Sequence, residues 1–225
     1  MSPARRGRSQ LVVVSNRLPF TFHRAGRRWR AEPGSGGLVT ALLPVLRRRG
    51  GTWVGWPGIA GTAREASAAL RAAGAESGYA LAAVALTDEE IRGFYMGFAN
   101  EVVWPLFHDL PSLCRFEAPY WRTYVKVNRK YARAVHARAG AGDFIWVHDY
   151  HLMRVGAELR RMGTRARLAF FLHIPFPSPD VFMKLPWRAP LMDALLEYDL
   201  LGFQAARDVA NFQASARALG REARS

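Results

Sequence analysis

The chain has 225 residues, 50% of them hydrophobic and 22% charged, the balance of an ordinary folded protein with enough length to bury a sizeable core. It carries 32 Lys and Arg against 18 Asp and Glu, a net charge of +14, and no apolar run long enough to span a membrane. A single cysteine, Cys114, excludes an intrachain disulfide and suits a reducing compartment, by default the cytoplasm.

Residues 1–30 hold eight arginines and no acidic residue. Residues 1–9 read as a basic disordered tail, and the Leu11-Val-Val-Val14 run behind them is too short for a signal-peptide core. A basic arm can bind nucleic acid or an anionic membrane. Only three of the basic residues are lysines, however, and no compact nucleic-acid motif is present. The excess reads as arginine-rich composition, and neither nucleic acid nor membrane is expected as a partner.

Along the chain, the β-branched run from Gln10 to Ser15 predicts a buried strand ending in Asn16-Arg17. An arginine at the carboxyl end of a strand can grip a phosphate bidentately, although alone it would be a solvated surface residue. Phe20–His23 and Arg28–Ala31 predict a small hairpin. Pro33-Gly-Ser-Gly-Gly37 then opens onto an amphipathic helix over 38–48. Such a loop presents backbone N–H groups and the positive helix end to an anion, but it lacks the G-x-G-x-x-G dinucleotide fingerprint, and an ordinary turn is the plain alternative. A strand over 52–56, an alanine-rich helix over 61–76 and a strand over 79–86 follow. Thr87 is placed as the cap of a helix running toward Phe107 and carrying Tyr95, Phe98 and Trp104. A long helix is expected over 120–139.

The densest signal is Asp143-Phe-Ile-Trp-Val-His-Asp-Tyr-His-Leu152, followed by Leu168-Ala-Phe-Phe-Leu-His-Ile-Pro-Phe-Pro177. Each half is a short apolar strand ending in ionisable side chains, with a helical stretch from His151 to Met162 between them. In an open parallel sheet the strand ends form a crevice, so His148, Asp149, His151 and His173 would be delivered to the place where such folds bind ligands. A metal would need a fourth group and a defined geometry, and none is expected, nor any cofactor. There is no G-x-S-x-G elbow and no pair of glycosidase carboxylates, Asp149 being nearly alone. A strand over 197–203 and a helix over 204–219 complete an alternation that predicts a doubly wound, Rossmann-like α/β domain with a parallel sheet.

Several stretches, in order and covering residues 10 to 219, carry a specific resemblance: Val12-Val-Val-Ser-Asn-Arg17, Gly36-Gly-Leu38, Gly51-Thr-Trp-Val-Gly-Trp56, Phe94-Tyr-Met-Gly-Phe-Ala-Asn100 with Trp104-Pro105, the two strand-end segments above, and Asp199-Leu-Leu-Gly-Phe203. They resemble the trehalose-6-phosphate synthase family, retaining glycosyltransferases of the two-domain GT-B architecture. The resemblance implies the N-terminal, acceptor-binding half of that architecture over residues 10–220, and transfer of glucose from UDP-glucose to glucose 6-phosphate without a metal. By matching position, Arg17, Trp53, Tyr95 and Trp104 would hold the acceptor and Asp149 its hydroxyls. Gly36 and Gly37 would lie against the donor diphosphate and His173 against the donor glucose, with Asp149 and His173 nearest the chemistry. The departure is length, since the family's second, donor-binding domain has no counterpart in these 225 residues, which are expected to turn over little alone. A glucosylglycerol-phosphate synthase, using an ADP-linked donor and glycerol 3-phosphate, and a non-catalytic sugar-phosphate-binding module are the alternatives. A homo-oligomer and a separate donor-domain chain stay open as partners.

Overall fold

The structure, a computed structural model, describes residues 9–25, 28–59 and 67–222. Most of the expected basic tail, the Gly26-Arg27 tip of the hairpin and the start of the alanine-rich helix lie outside the described residues. The strands are β1 (Leu11–Arg17), β2 (Phe20–Ala25), β3 (Arg28–Pro33), β4 (Thr52–Trp56), β5 (Ala80–Ala83), β6 (Phe144–His148), β7 (Arg167–Phe171) and β8 (Leu200–Gly202). β2 and β3 pair antiparallel as a separate ribbon. The other six form one parallel sheet in the order β5-β4-β1-β6-β7-β8. Counted in chain order within the sheet, this is 3-2-1-4-5-6, the Rossmann-type order in which the winding reverses between the two central strands. That reversal lies between β1 and β6, beside Arg17 and Asp149.

β4 is buried at every position, because helices cover the sheet on both faces. Alternation along the strands divides the interior in two. Val12, Val14, Val54, Trp56, Ile145 and Val147 join the larger cluster, while Val13 and Trp53 pack with Leu42 and Leu46 of the helix Gly37–Arg49 in the smaller one.

On the larger face a helical column starts at a reciprocal cap. Thr87 Oγ1 accepts from the Glu90 N–H, and the Glu90 carboxylate accepts from the Thr87 N–H. The column widens into a π-helical stretch, Ile91–Val103, and closes with Trp104–Phe107. Glu90, 2% exposed, also meets the ammonium groups of Lys126 and Lys130, which ties the column to the helix Ala118–His136. Two short helices, Pro179–Phe182 and Arg188–Leu195, were not expected from the sequence.

One irregularity decides where Arg17 goes. β1 and β4 run in register through Val14 opposite Val54, but Arg17 then stands opposite Trp56, so three steps along β1 match two along β4. This bulge is held by Ser15, whose Oγ donates to the Arg17 carbonyl (2.6 Å) and accepts from Trp53 Nε1 (2.7 Å). It crosses Gly55 so closely that a Cβ there would lie 2.7 Å from the Arg17 carbonyl carbon. Were the same residues paired in regular register without the bulge, Asn16 would face Trp56 and Arg17 would point to the smaller cluster.

Candidate active site

Three strand ends build the site. From β1, the Arg17 guanidinium lies over the Trp56 ring at 4.5 Å and 5.9 Å from the Tyr95 ring centre. It forms no hydrogen bond or ion pair with any described residue, and its side is open to solvent. Gly58, at φ 85°, lets the chain pass so near that a Cβ would sit 2.5 Å from Arg17 Nη1. A planar cation held flat by aromatic rings, with its N–H edge free, is suited to a phosphate.

Behind Arg17 the rings continue as a stack. Tyr95 lies nearly parallel to His151 (5.6 Å, 12°), and the Tyr150 ring packs against that imidazole at 4.0 Å, tilted by 32°. The Tyr150 hydroxyl donates to Asn100 Oδ1 at 3.1 Å. His151 is buried, neither ring nitrogen has a partner among the described residues, and burial, aided by the nearby Arg17 charge, pushes its pKa down to about 3.

The β6 and β7 ends supply the second group. Asp149 takes φ 75° and ψ 162°, a conformation that side chains rarely adopt, at the turn after β6. Its Oδ1 accepts from the Tyr150 N–H (3.0 Å) and the His173 N–H (3.3 Å), and its own N–H donates to the Phe171 carbonyl. Burial raises the Asp149 carboxyl pKa, against the pull of those N–H groups and of His173. His148 Nδ1 lies 3.1 Å from His173 Nε2, with the rings 5.3 Å apart. Burial lowers His173, opposed by Asp149, and lowers His148 to about 3. Both imidazoles are therefore neutral near pH 7.

The glycine loop makes a third group. Gly36 precedes the helix Gly37–Arg49, whose first turn carries no acidic residue and no side-chain cap, and a Cβ on either Gly36 or Gly37 would meet nothing within 4 Å. The N–H groups of that first turn face open space. Among the described residues no group of three or more His, Cys, Asp or Glu side chains is arranged to hold a metal ion.

Of the residues expected from sequence, Arg17 and Tyr95 come together, as do Asp149 and His173. Trp53 does not join them. It is fully buried on the opposite face of the sheet, against Tyr79, with its indole N–H spent on Ser15. The tryptophan that lines the site is Trp56, three residues on and therefore on the other face. Its own N–H donates to the Ile59 carbonyl, which fixes the ring under Arg17. Trp104 is 41% exposed and stacks on His108 (4.2 Å), nine residues beyond Tyr95 on the same column, and its ring pairs with neither the Tyr95 ring nor the Arg17 guanidinium.

Residues 9–225 match the family described as glycosyltransferase family 20. The chain belongs to this family. It is similar to the trehalose-6-phosphate synthase of Mycolicibacterium vanbaalenii, 41% identical over 217 residues, which are 96% of this chain and 44% of that protein. It is similar also to that of Mycobacterium tuberculosis, 40% identical over 95% of this chain and 43% of that protein. The family member described here thus spans less than half the length of these curated relatives. Among solved structures, an E. coli protein described as trehalose-6-phosphate bound with UDP-2-fluoro glucose superimposes with a TM-score of 0.78 at 34% identity, over 94% of this chain and 43% of that one. An α,α-trehalose-phosphate synthase (UDP-forming) from Burkholderia xenovorans in complex with glucose-6-phosphate superimposes with a TM-score of 0.75 at 31% identity, over 94% and 43%. The doubly wound α/β sheet of a GT-B glycosyltransferase is therefore the fold of this family member as well. Among its described residues no helix is long and apolar enough to cross a membrane.

Proposed function

We propose that residues 10–220 form the acceptor-binding domain of an α,α-trehalose-phosphate synthase that moves glucose from UDP-glucose to glucose 6-phosphate with retention, in the cytoplasm. The observation that carries this reading is the Arg17 guanidinium, resting over Trp56 and beside Tyr95 without an acidic partner among the described residues, at the carboxyl end of β1 next to the β6 end that carries Asp149. The relatives described with a UDP-sugar and with glucose 6-phosphate support it.

In this reading Arg17 takes the acceptor phosphate and the Tyr95 and Trp56 rings flank it. Asp149 Oδ1 is occupied by two backbone N–H groups, which leaves Oδ2 to accept from acceptor hydroxyls. The N–H groups around Gly36 and Gly37 meet the donor diphosphate, and His173 meets the donor glucose. No second carboxylate accompanies Asp149, so the domain contributes positioning and charge stabilisation, and the departing phosphate oxygen is the natural acceptor for the proton of the attacking hydroxyl. Turnover is expected to need the length that the relatives have beyond this stretch.

Calorimetric titration of the purified chain with glucose 6-phosphate and with glycerol 3-phosphate tests this. Saturable binding of glucose 6-phosphate is expected, and Arg17→Ala should weaken it by about 1.5–3 kcal/mol, as loss of charged hydrogen bonds does. Preference for glycerol 3-phosphate would move the reading to a glucosylglycerol-phosphate synthase. Binding of neither phosphate would sink it.

A further inference from the structure

We infer that His148 is a positioning residue that closes Nε2 of His173 with its own Nδ1–H, leaving His173 as a fixed Nδ1–H donor toward the crevice. His148 is 1% exposed at the end of β6, its ring packed between Trp146 (4.7 Å) and His173. The 3.1 Å contact between His148 Nδ1 and His173 Nε2 needs one hydrogen, and two arrangements supply it. Either His148 carries it on Nδ1, or His173 carries it on Nε2.

Two features choose between them. His148 Nε2 is buried with no partner among the described residues. If His173 were the donor, neutral His148 would bury an N–H there, and orphaned buried N–H groups are rarer than under-satisfied acceptors. With the hydrogen on Nδ1, the unpartnered atom is only a lone pair. The second feature is the charge nearest His173. Asp149 Oδ1 accepts from the backbone N–H of His173, so the carboxylate stands on the backbone side of that residue, where Nδ1 is, while Nε2 points away to His148. A carboxylate draws the ring proton to the nearer nitrogen. The unpartnered His148 Nε2 and the Asp149 carboxylate both place the shared hydrogen on His148 Nδ1.

The consequence for chemistry is a restriction. The lone pair of His173 is engaged with a buried neutral imidazole, so His173 can donate a hydrogen bond to a ligand but cannot take a proton from one. This meaning rests on the proposed glucosyl transfer, in which His173 meets the donor sugar; the hydrogen placement itself rests on geometry alone.

Long-range proton–nitrogen correlation spectra of the nitrogen-15-labelled chain read the placement directly, because protonated and bare imidazole nitrogens resonate far apart. His148→Asn and His173→Gln assign the signals and amide spectra check the fold. Near pH 7 both His148 and His173 are expected protonated on Nδ1. His148→Asp, whose carboxylate oxygen stands where Nδ1 stood and can only accept, should convert His173 to the Nε2–H form, and His148→Asn, whose amide nitrogen there can donate, should keep the Nδ1–H form. If the group at position 148 merely filled space, the tautomer would be unchanged in the aspartate variant. An Nε2–H signal for His173 in the unmodified chain overturns the inference, whether or not any variant folds and whether or not the chain binds a sugar phosphate.

Discussion

Two tryptophans of one five-residue strand have opposite duties. Trp53 fills the smaller cluster and Trp56 carries the cation of the site, so their substitutions should separate. Trp53→Ala is expected to cost about 3–5 kcal/mol of stability in urea denaturation and to leave glucose 6-phosphate affinity in the folded fraction unchanged. Trp56→Leu should lose stability and also about 0.5–2 kcal/mol of affinity, the worth of a cation resting on an aromatic face. Equal losses of affinity in the two variants would put Trp53 back in the site. The period of two along a strand puts residues 53 and 56 on opposite faces, which was readable from the sequence. Which face holds the ligand was not, because a strand buried on both sides, as Thr52–Trp56 is, has no polar alternation to mark it.

At the level of elements, the strands were the most legible part, since β-branched and aromatic runs bounded by glycine and proline leave little choice. The hairpin, the helix behind the glycine loop, the Thr87 cap and the strand-end histidines all lie where the sequence puts them. The helices Pro179–Phe182 and Arg188–Leu195 escaped because each is about two turns or less and contains a proline, too short for helical periodicity to register. The π-helical widening of Ile91–Val103 leaves no local sign either, for it shifts hydrogen bonds without shifting composition. Packing between elements was equally hidden. Glu158, 2% exposed on the helix Val155–Arg161, gathers Arg129 (3.0 Å), Arg161 (2.8 Å) and the buried Arg154 (3.5 Å). Glu158→Ala leaves the Arg154 charge buried and should cost about 3–5 kcal/mol in chemical denaturation. A loss below about 1 kcal/mol would mean that the cluster is solvated like a surface pair.

The molecule as a whole should carry the mark of its buried histidines in its acid stability. His148 and His151 have pKa values near 3 against an ordinary 6.5, so below pH 6.5 the unfolded chain takes up protons that the native state refuses. The stability that these neutral rings contribute is complete above about pH 7 and is lost as the pH falls from 6.5 toward 3, at a rate of up to about 1.4 kcal/mol per pH unit for each. Asp149 works the other way. Its raised pKa lets the native state take a proton first, so just above the ordinary carboxylate value it offsets part of the loss. Urea midpoints at pH 7.5, 6 and 5 should fall in that order, and His151→Phe should flatten the slope; midpoints independent of pH would contradict the burial of the rings.

The bulge between Val14 and Arg17 makes ligand binding a matter of counting as well as of chemistry. Deleting Asn16 alone would keep the arginine two steps after Val14, as Trp56 is after Val54, and so on the Trp56 layer. Deleting Ser15 and Asn16 together also removes no group that the ligand would touch and leaves every apolar residue of β1 up to Val14 in place, yet it puts the arginine opposite Gly55 and through to the opposite layer. The expected product of the double deletion is a folded chain of 223 residues (225 less two) with its cation on the wrong side of the sheet, unable to hold a sugar phosphate although all the residues that line the site are still encoded. In this domain, lengths between motifs are as much a part of the binding specification as the motifs themselves.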